Sequence, residues 1–370
     1  MGTPSIPLDW YTSQDIFNRE KAFFEGMPQY RGHVYMVPQV GDLFTLPGTH
    51  DTEMLVHNKH GVQLLSNICR HRQMVMRRGK ENHSKIVCPA HCWTYDNCGK
   101  LIHANHFKEN PQLDLIQFET HRWHGMVFKG GSMPSSVLKS AFLNEQMKLE
   151  GWALGSSTMM DCPYNWKIFI DTYLDDYHIN IIHPGLRHYV DANRVAWTME
   201  DGFSIQTAPL NPRWREHPAS GQYGEFMQLL ANRYSANSLN FGVAWILIYP
   251  NIMLELYPDA LAVSVVHPLT LTKTRNTIEF YFPAELVAAK DPYCAAFEKA
   301  YLETAHEDNE LCEAIQAGLQ HSAAAGVKEA GPFHTPMEDG IMHFHDFLRR
   351  QLGETSVQPP TSSMDHDLTA

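Results

Sequence analysis

Basic charge is in deficit here, cysteine is too sparse for a secreted framework, and no apolar run is long enough for a bilayer. The 370 residues carry 29 Lys and Arg against 41 Asp and Glu, a formal net charge of −12. That balance argues against a nucleic acid or an anionic membrane surface as partner. The longest apolar stretch, about residues 244–256, is interrupted by Pro250 and Asn251 and falls short of a spanning helix. Residues 1–10 lack the basic, apolar, small order of a secretory signal. Ile6 breaks the myristoylation pattern. Seven cysteines, an odd and scattered set, point to a reducing, cytoplasmic setting. No strand–G-x-G-x-x-G–helix unit occurs, so no flavin or nicotinamide is expected on this chain. With 44% hydrophobic and 19% charged residues the chain reads as globular, and its length suits two domains.

Against these absences stands one dense set of ligand residues. Cys69-Arg70-His71 and Cys88-Pro89-Ala90-His91 are separated by sixteen residues. Turn formers Gly79 and Pro89 lie beside them, which suits two short loops at hairpin tips. Such a set meets the need of a Rieske [2Fe–2S] cluster, with thiolates on one iron and imidazoles on the other. Neutral imidazoles in place of two thiolates raise the reduction potential well above that of an all-cysteine cluster. The same donors suit tetrahedral zinc, so ligand type alone leaves a structural zinc site open.

A second constellation follows. Asn165-Trp166-Lys167 leads to Asp171-Thr172-Tyr173-Leu174-Asp175-Asp176-Tyr177-His178, then to His183-Pro184. Histidines five residues apart do not share one unbroken helical face. A helix is therefore expected to follow Asn165, carry Asp175 and His178, and end before His183, as Pro184-Gly185 also suggests. Two imidazoles and one carboxylate make the facial triad of a non-haem Fe(II) site, with positions left open for O₂ and water. Spacing alone does not choose the carboxylate among Glu307, Asp308, Glu310 and Glu313. An acidic helix face is more often solvated than ligating.

Together the motifs resemble those of the Rieske non-haem iron oxygenases, large (alpha) subunit, over about residues 35–350. Residues 88–99 are similar to C-P-x-H-G-W-x-Y-D-x-x-G, with Cys92 in place of the glycine. Residues 165–183 are similar to N-W-K followed by Y-H-x-x-x-x-H. Residues 307–316 look like E-D-x-x-x-x-E-x-x-Q, and the resemblance implies Asp308 as third iron ligand. It also implies that Asp175 bridges the two centres, hydrogen-bonding His178 and His91 of a neighbouring subunit and fixing both rings. Asp176 is expected to be an exposed acid, and Thr172 stands where the family commonly has Asn. The C-terminal part, with Leu311-Cys312-Glu313 and Met342-His343-Phe344-His345, looks like choline monooxygenase and its relatives. Asp175 argues the other way, since those enzymes usually carry Glu there. The His343 and His345 pair reads as structural.

Residues 1–34 read as a helical lead segment, with Ser13 opening a helix to about Gly26. Short strands over 35–135 make the Rieske domain, and the Gly130-to-Ser136 stretch marks the linker. Residues 136–352 make the catalytic domain: a meander over 241–282, a long helix opened by Asp291-Pro292 that carries Asp308, and a last helix over about 338–352. Residues 353–370 read as a disordered tail. The fold class is α+β, an all-β Rieske domain followed by an α+β catalytic domain. The resemblance adds a curved antiparallel sheet, flanked by helices, that cups the iron.

The resemblance implies the terminal oxygenase component of a Rieske-type system. Its cofactors are the [2Fe–2S] cluster and mononuclear Fe(II), with NAD(P)H acting only through a separate reductase, with or without a ferredoxin. It uses O₂ to hydroxylate or oxidatively demethylate a small organic substrate. A head-to-tail homotrimer would face one subunit's cluster toward the next subunit's iron. A small aromatic or carboxylated substrate is favoured. The alternative is a quaternary ammonium such as choline, betaine or carnitine, held by cation–π attraction. Ile179, Ile182, Phe241, Trp245 and Tyr249 are pocket candidates, although each reads more readily as an ordinary core residue. Two other classes remain open: a plain Rieske electron carrier, and a colourless zinc-stapled binding module.

Overall fold

Turn residues cut the apolar runs of the first third into pieces too short for helices, and these pieces pair as β-strands. The computed structural model describes residues 6–353 apart from 217–220, 236–238, 240 and 329–330. Beyond Gly353, the tail expected over 353–370 lies outside the described residues. A five-stranded antiparallel sheet runs in the order Lys80–Asn82, Asp42–Thr45, Glu53–Asn58, Gly61–Ser66 and Gln117–Phe118. A small sheet of Lys85–Val87, Thr94–Asp96 and Leu101–His103 stands beside it. Leu43, Met54, Val56, Leu65, Tyr95 and Leu101 form the core beneath, and Cys69 and Cys88 are part of it.

The first residues are more than a lead segment. The helix Gln14–Gly26, capped by Ser13 Oγ on the Ile16 N–H, packs on the second domain. Its Glu20 is fully buried against Lys167 Nζ at 2.7 Å and also accepts from Trp166 Nε1 at 2.9 Å. The strand Pro28–His33 then pairs with Met126–Gly130 of the first domain. The segment thus fastens both domains together.

The second domain is built on a seven-stranded antiparallel sheet. Its order is Trp152–Cys162, Lys273–Pro283, Ala260–Thr270, Ile252–Tyr257, Val243–Ile248, Phe203–Ala208 and Ala196–Glu200. The meander expected over 241–282 is its centre. Alternation sends Ala244, Ile246, Leu254 and Val263 to one core. It sends Trp245, Tyr257, Ala262 and Phe280 to the other, under the helix Pro292–Ala324. Asp291 caps that helix by accepting from the Tyr293 N–H, and Pro292 occupies its first turn. Its buried stripe, Tyr293, Ala296, Phe297, Ala300, Tyr301, Ala305, Cys312 and Gln316, follows the helical period. The last helix runs Asp339–Gln351. There His345 Nε2 meets Asp171 Oδ1 at 2.9 Å and His343 Nδ1 meets the Tyr249 hydroxyl at 2.7 Å, both structural contacts. No helix among the described residues is long and apolar enough to cross a membrane.

Candidate metal centres and the cavity beside them

Cys69 and His71 lie in the loop closed by the Ile68–Val75 bridge, and Cys88 to His91 tip the hairpin between Lys85–Val87 and Thr94–Asp96. Backbone bonds shape both loops: Gln73 N–H to Cys69 O at 3.0 Å, and Cys92 N–H to Cys88 O at 3.0 Å. Both thiols are buried, and the Tyr95 hydroxyl lies 3.5 Å from Cys69 Sγ. Burial pushes the Cys88 thiol up, while the Ala90 and His91 backbone N–H groups pull the other way. The His71 and His91 rings meet with centroids 4.8 Å apart, and Trp93 stacks on His71. His71 Nδ1 is buried without a hydrogen-bond partner. A shielded imidazole nitrogen beside two free thiols fits a Rieske cluster held by Cys69, His71, Cys88 and His91. Cys92 takes the glycine's place with the backbone glycine favours, at φ +59°.

The second centre departs from the expected helix. Asn165 caps Trp166–Tyr173, and there the helix stops. Asp175 and His178 lie in the turn that follows, and the single helical turn Ile179–Ile182 separates the two histidines. The turn rotates His178 and His183 toward each other, so that their Nε2 atoms lie 3.0 Å apart. Asp308 Oδ1 completes the group, 3.1 Å from His183 Nε2 and 3.5 Å from His178 Nε2. One ligand atom from each of the three lies within 4.8 Å of the others. Each outer ring nitrogen meets another carboxylate: His178 Nδ1 meets Asp175 at 3.0 Å, and His183 Nδ1 meets Glu307 at 2.7 Å. Such partners hold ligating rings in place. Burial works against charge on His178, yet Asp175 and Asp308 outweigh it and push it up to about 9. Despite burial, the two imidazoles hold Asp308 down at about 2. Two imidazoles among three carboxylates make a donor set suited to a divalent iron.

Asp176 is not the exposed acid expected. It is buried, accepts from Trp197 Nε1 at 3.1 Å, and is pushed up to about 8 by desolvation and by Asp175. Thr172 faces Cys312 Sγ at 3.4 Å. Glu307, one of the open ligand candidates, instead orients His183.

A cavity of about 60 Å³ opens on the triad. Ile179 and Trp245 line it as expected, whereas Ile182, Phe241 and Tyr249 do not. Tyr173, Tyr223, Tyr257 and Tyr301 add aromatic walls, and Gln206 and Glu255 add polar groups. No Lys or Arg lines it among the described residues. Sequence reasoning missed Glu255. The available signal was a lone acid at an inward position of the otherwise apolar strand Ile252–Tyr257.

Comparison with known proteins agrees with this architecture. A family model for the Rieske [2Fe-2S] domain matches residues 34–118. One for the ring hydroxylating alpha subunit (catalytic domain) matches residues 149–354. The putrescine 2-hydroxylase of Ralstonia nicotianae is 38% identical over 348 residues, covering 94% of this chain and 95% of that protein. The chloroplastic choline monooxygenase of Spinacia oleracea is 25% identical, covering 94% and 77%. A solved quaternary ammonium Rieske monooxygenase, studied for carnitine oxidation by gut microbiota, superposes with a TM-score of 0.75 at 20% identity, covering 95% of this chain and 96% of that one.

Proposed function

The chain belongs to the Rieske non-haem iron oxygenases of the ring-hydroxylating alpha-subunit family, and from that premise we propose that it hydroxylates a small aliphatic amine. It is the terminal oxygenase component of its system. When bound, the cluster passes electrons singly and the ferrous iron activates O₂. The protein's own task is to hold the substrate, exclude water and orient the ligands.

One observation carries the reading: the cavity on the triad is aromatic-walled and acidic, with Glu255 and Asp308 in its lining and no Lys or Arg among the described residues there. A carboxylate inside it would face Glu255 and Asp308, so the carboxylated half of the preference gains no support from it. A cation does, and likeness to a putrescine 2-hydroxylase over nearly the whole of both chains points to an aliphatic amine rather than an aromatic ring. The aromatic walls and the choline monooxygenase likeness favour a quaternary ammonium as second reading.

The ligand sets follow from the same reading: Cys69, His71, Cys88 and His91 for the cluster; His178, His183 and Asp308 for the iron; Asp175 as the bridge. A head-to-tail trimer would supply that bridge with His91 of a neighbouring copy. Exposed large apolar residues suit such docking: Phe107, whose ring meets that of His71, in the first domain, and Tyr177, whose N–H donates to Asp175, in the second. Residues 70–108 carry eight Lys and Arg against two Asp and Glu in a chain of net charge −12. Arg72, Lys85, Lys100 and Lys108 among them are exposed, which suits an acidic reductase or ferredoxin.

The test supplies reductase, NADH and O₂, and offers putrescine, choline and benzoate in turn. The expected result is a putrescine product heavier by one oxygen atom, with benzoate untouched. Turnover of benzoate without turnover of either amine would overturn the proposal.

A further inference from the structure

Glu255 sits where packing alone has no use for a charge. Strand pairing sets Gln206 beside Trp245, Trp245 beside Glu255, and Glu255 beside Ala262, all on the sheet face under the long helix. Ala262 and, on the helix, Ala305 are small residues that line this part of the layer, and both belong to its core. Glu255 is 8% exposed and lines the cavity. Its Oε1 accepts from the Tyr301 hydroxyl at 3.0 Å. A buried carboxylate without a cation is costly, and an apolar side chain of similar size would serve the core better. Desolvation pushes Glu255 up to about 8, against the pull of the Tyr301 hydroxyl and, more weakly, of Trp245 and Tyr257. A cation in the cavity would reverse that balance.

We propose that Glu255 is the counter-ion for the substrate's ammonium group, and that the group is a primary ammonium with N–H bonds to donate. This rests on the amine reading above and narrows it. A quaternary ammonium has no N–H to donate and is held by ring faces and charge attraction, with no hydrogen bond. The Glu255 carboxylate, the Gln206 amide oxygen and the Tyr301 oxygen are acceptors, which three ammonium donors could use. Glu255 thereby sets specificity between primary amines and their methylated analogues, while the His–His–Asp group is common to both.

The test measures binding to the anaerobic holoenzyme by calorimetry, with putrescine and its fully N-methylated analogue as probes. Wild type should favour putrescine. Glu255→Gln should raise the putrescine Kd about 10- to 100-fold, as loss of a charged hydrogen bond implies, and raise the analogue's Kd less, since the analogue loses only charge attraction. In turnover KM should rise while kcat at saturation holds, and Glu255→Asp should recover part of the loss. Equal putrescine affinity in wild type and Glu255→Gln would overturn the role of Glu255 and leave the amine reading standing. No binding of either probe to wild type would overturn both. Should Glu255→Gln not fold, Tyr301→Phe removes only the hydroxyl on Oε1. A several-fold rise in putrescine Kd alone then supports the role, and no change opposes it.

Discussion

Replacing Asp175 by Asn turns the carboxylate 3.0 Å from His178 Nδ1 into a neutral amide of the same shape. Asp175 also accepts from the Tyr177 N–H at 2.6 Å through its other oxygen. His178 Nδ1 and Asp175 make a close ion pair rather than an aligned hydrogen bond. Loss of an outer partner to a ligating imidazole costs about 10- to 100-fold in metal affinity, and the variant should lose about 10-fold for iron. With Fe(II) in excess the site stays filled. Electron delivery should suffer more, because Asp175 is also the proposed link to the neighbouring cluster. We expect cluster reoxidation to slow about 100-fold, the upper end for the loss of a ligand's outer partner. Asp175→Glu, which keeps the charge, should be milder. The assay mixes fully reduced enzyme with O₂ and putrescine in a stopped-flow instrument and follows the cluster's visible absorbance, with iron counted on the same sample. Reoxidation at the wild-type rate in an iron-replete Asp175→Asn enzyme would refute the bridge.

Lys167→Met should destabilise the fold by about 3–5 kcal/mol, because Glu20 would stay buried without its cation. Urea unfolding measures it, and a loss under 1 kcal/mol would contradict the pairing. Cys92→Gly should stabilise the β domain by about 1 kcal/mol by removing a side chain from left-handed backbone; a lower urea midpoint, followed by cluster bleaching, would mean that the sulfur itself holds the loop. His33 is buried and held down at about 4, chiefly by desolvation. The unfolded chain, titrating near 6.5, binds the extra proton first, so stability falls as pH drops from 6.5 to 4. Relative to His33→Gln, wild type should lose about 3 kcal/mol across that window. Glu279 is pushed up to about 7 by burial and has the opposite sign. It contributes stability below its unfolded value of about 4.5, and that contribution is lost as pH rises to 7. Glu279→Gln should flatten that limb, and an unchanged slope would count against its burial.

The metal-binding residues were readable because ligation demands particular residue types at short spacings, as in Cys69/His71, Cys88/His91 and His178/His183. Asp308, by contrast, was not readable from the residues alone: spacing left Glu307, Asp308, Glu310 and Glu313 open, and only the family resemblance singled it out, because a lone carboxylate carries no mark of its own among helix acids. The meander and the caps at Ser13 and Asp291 followed from local patterns. Contacts between distant segments did not. Asp176 is buried because an indole twenty-one residues away reaches it. The helix after Asn165 stops at Tyr173 although no glycine or proline marks the place. The bond from Glu20 to Lys167 crosses 147 positions. Glu255 looked like an interruption in an apolar strand until the helix above it supplied Tyr301 and the cavity.

The central claim is that two separate iron centres share this chain, and iron and acid-labile sulfide counted per chain test it most directly, in wild type and in Asp308→Ala. The account predicts three irons and two sulfides in wild type and two of each in the variant, with the Rieske EPR signal unchanged. Zinc in place of iron at the cysteines, or a third iron retained without Asp308, would contradict it.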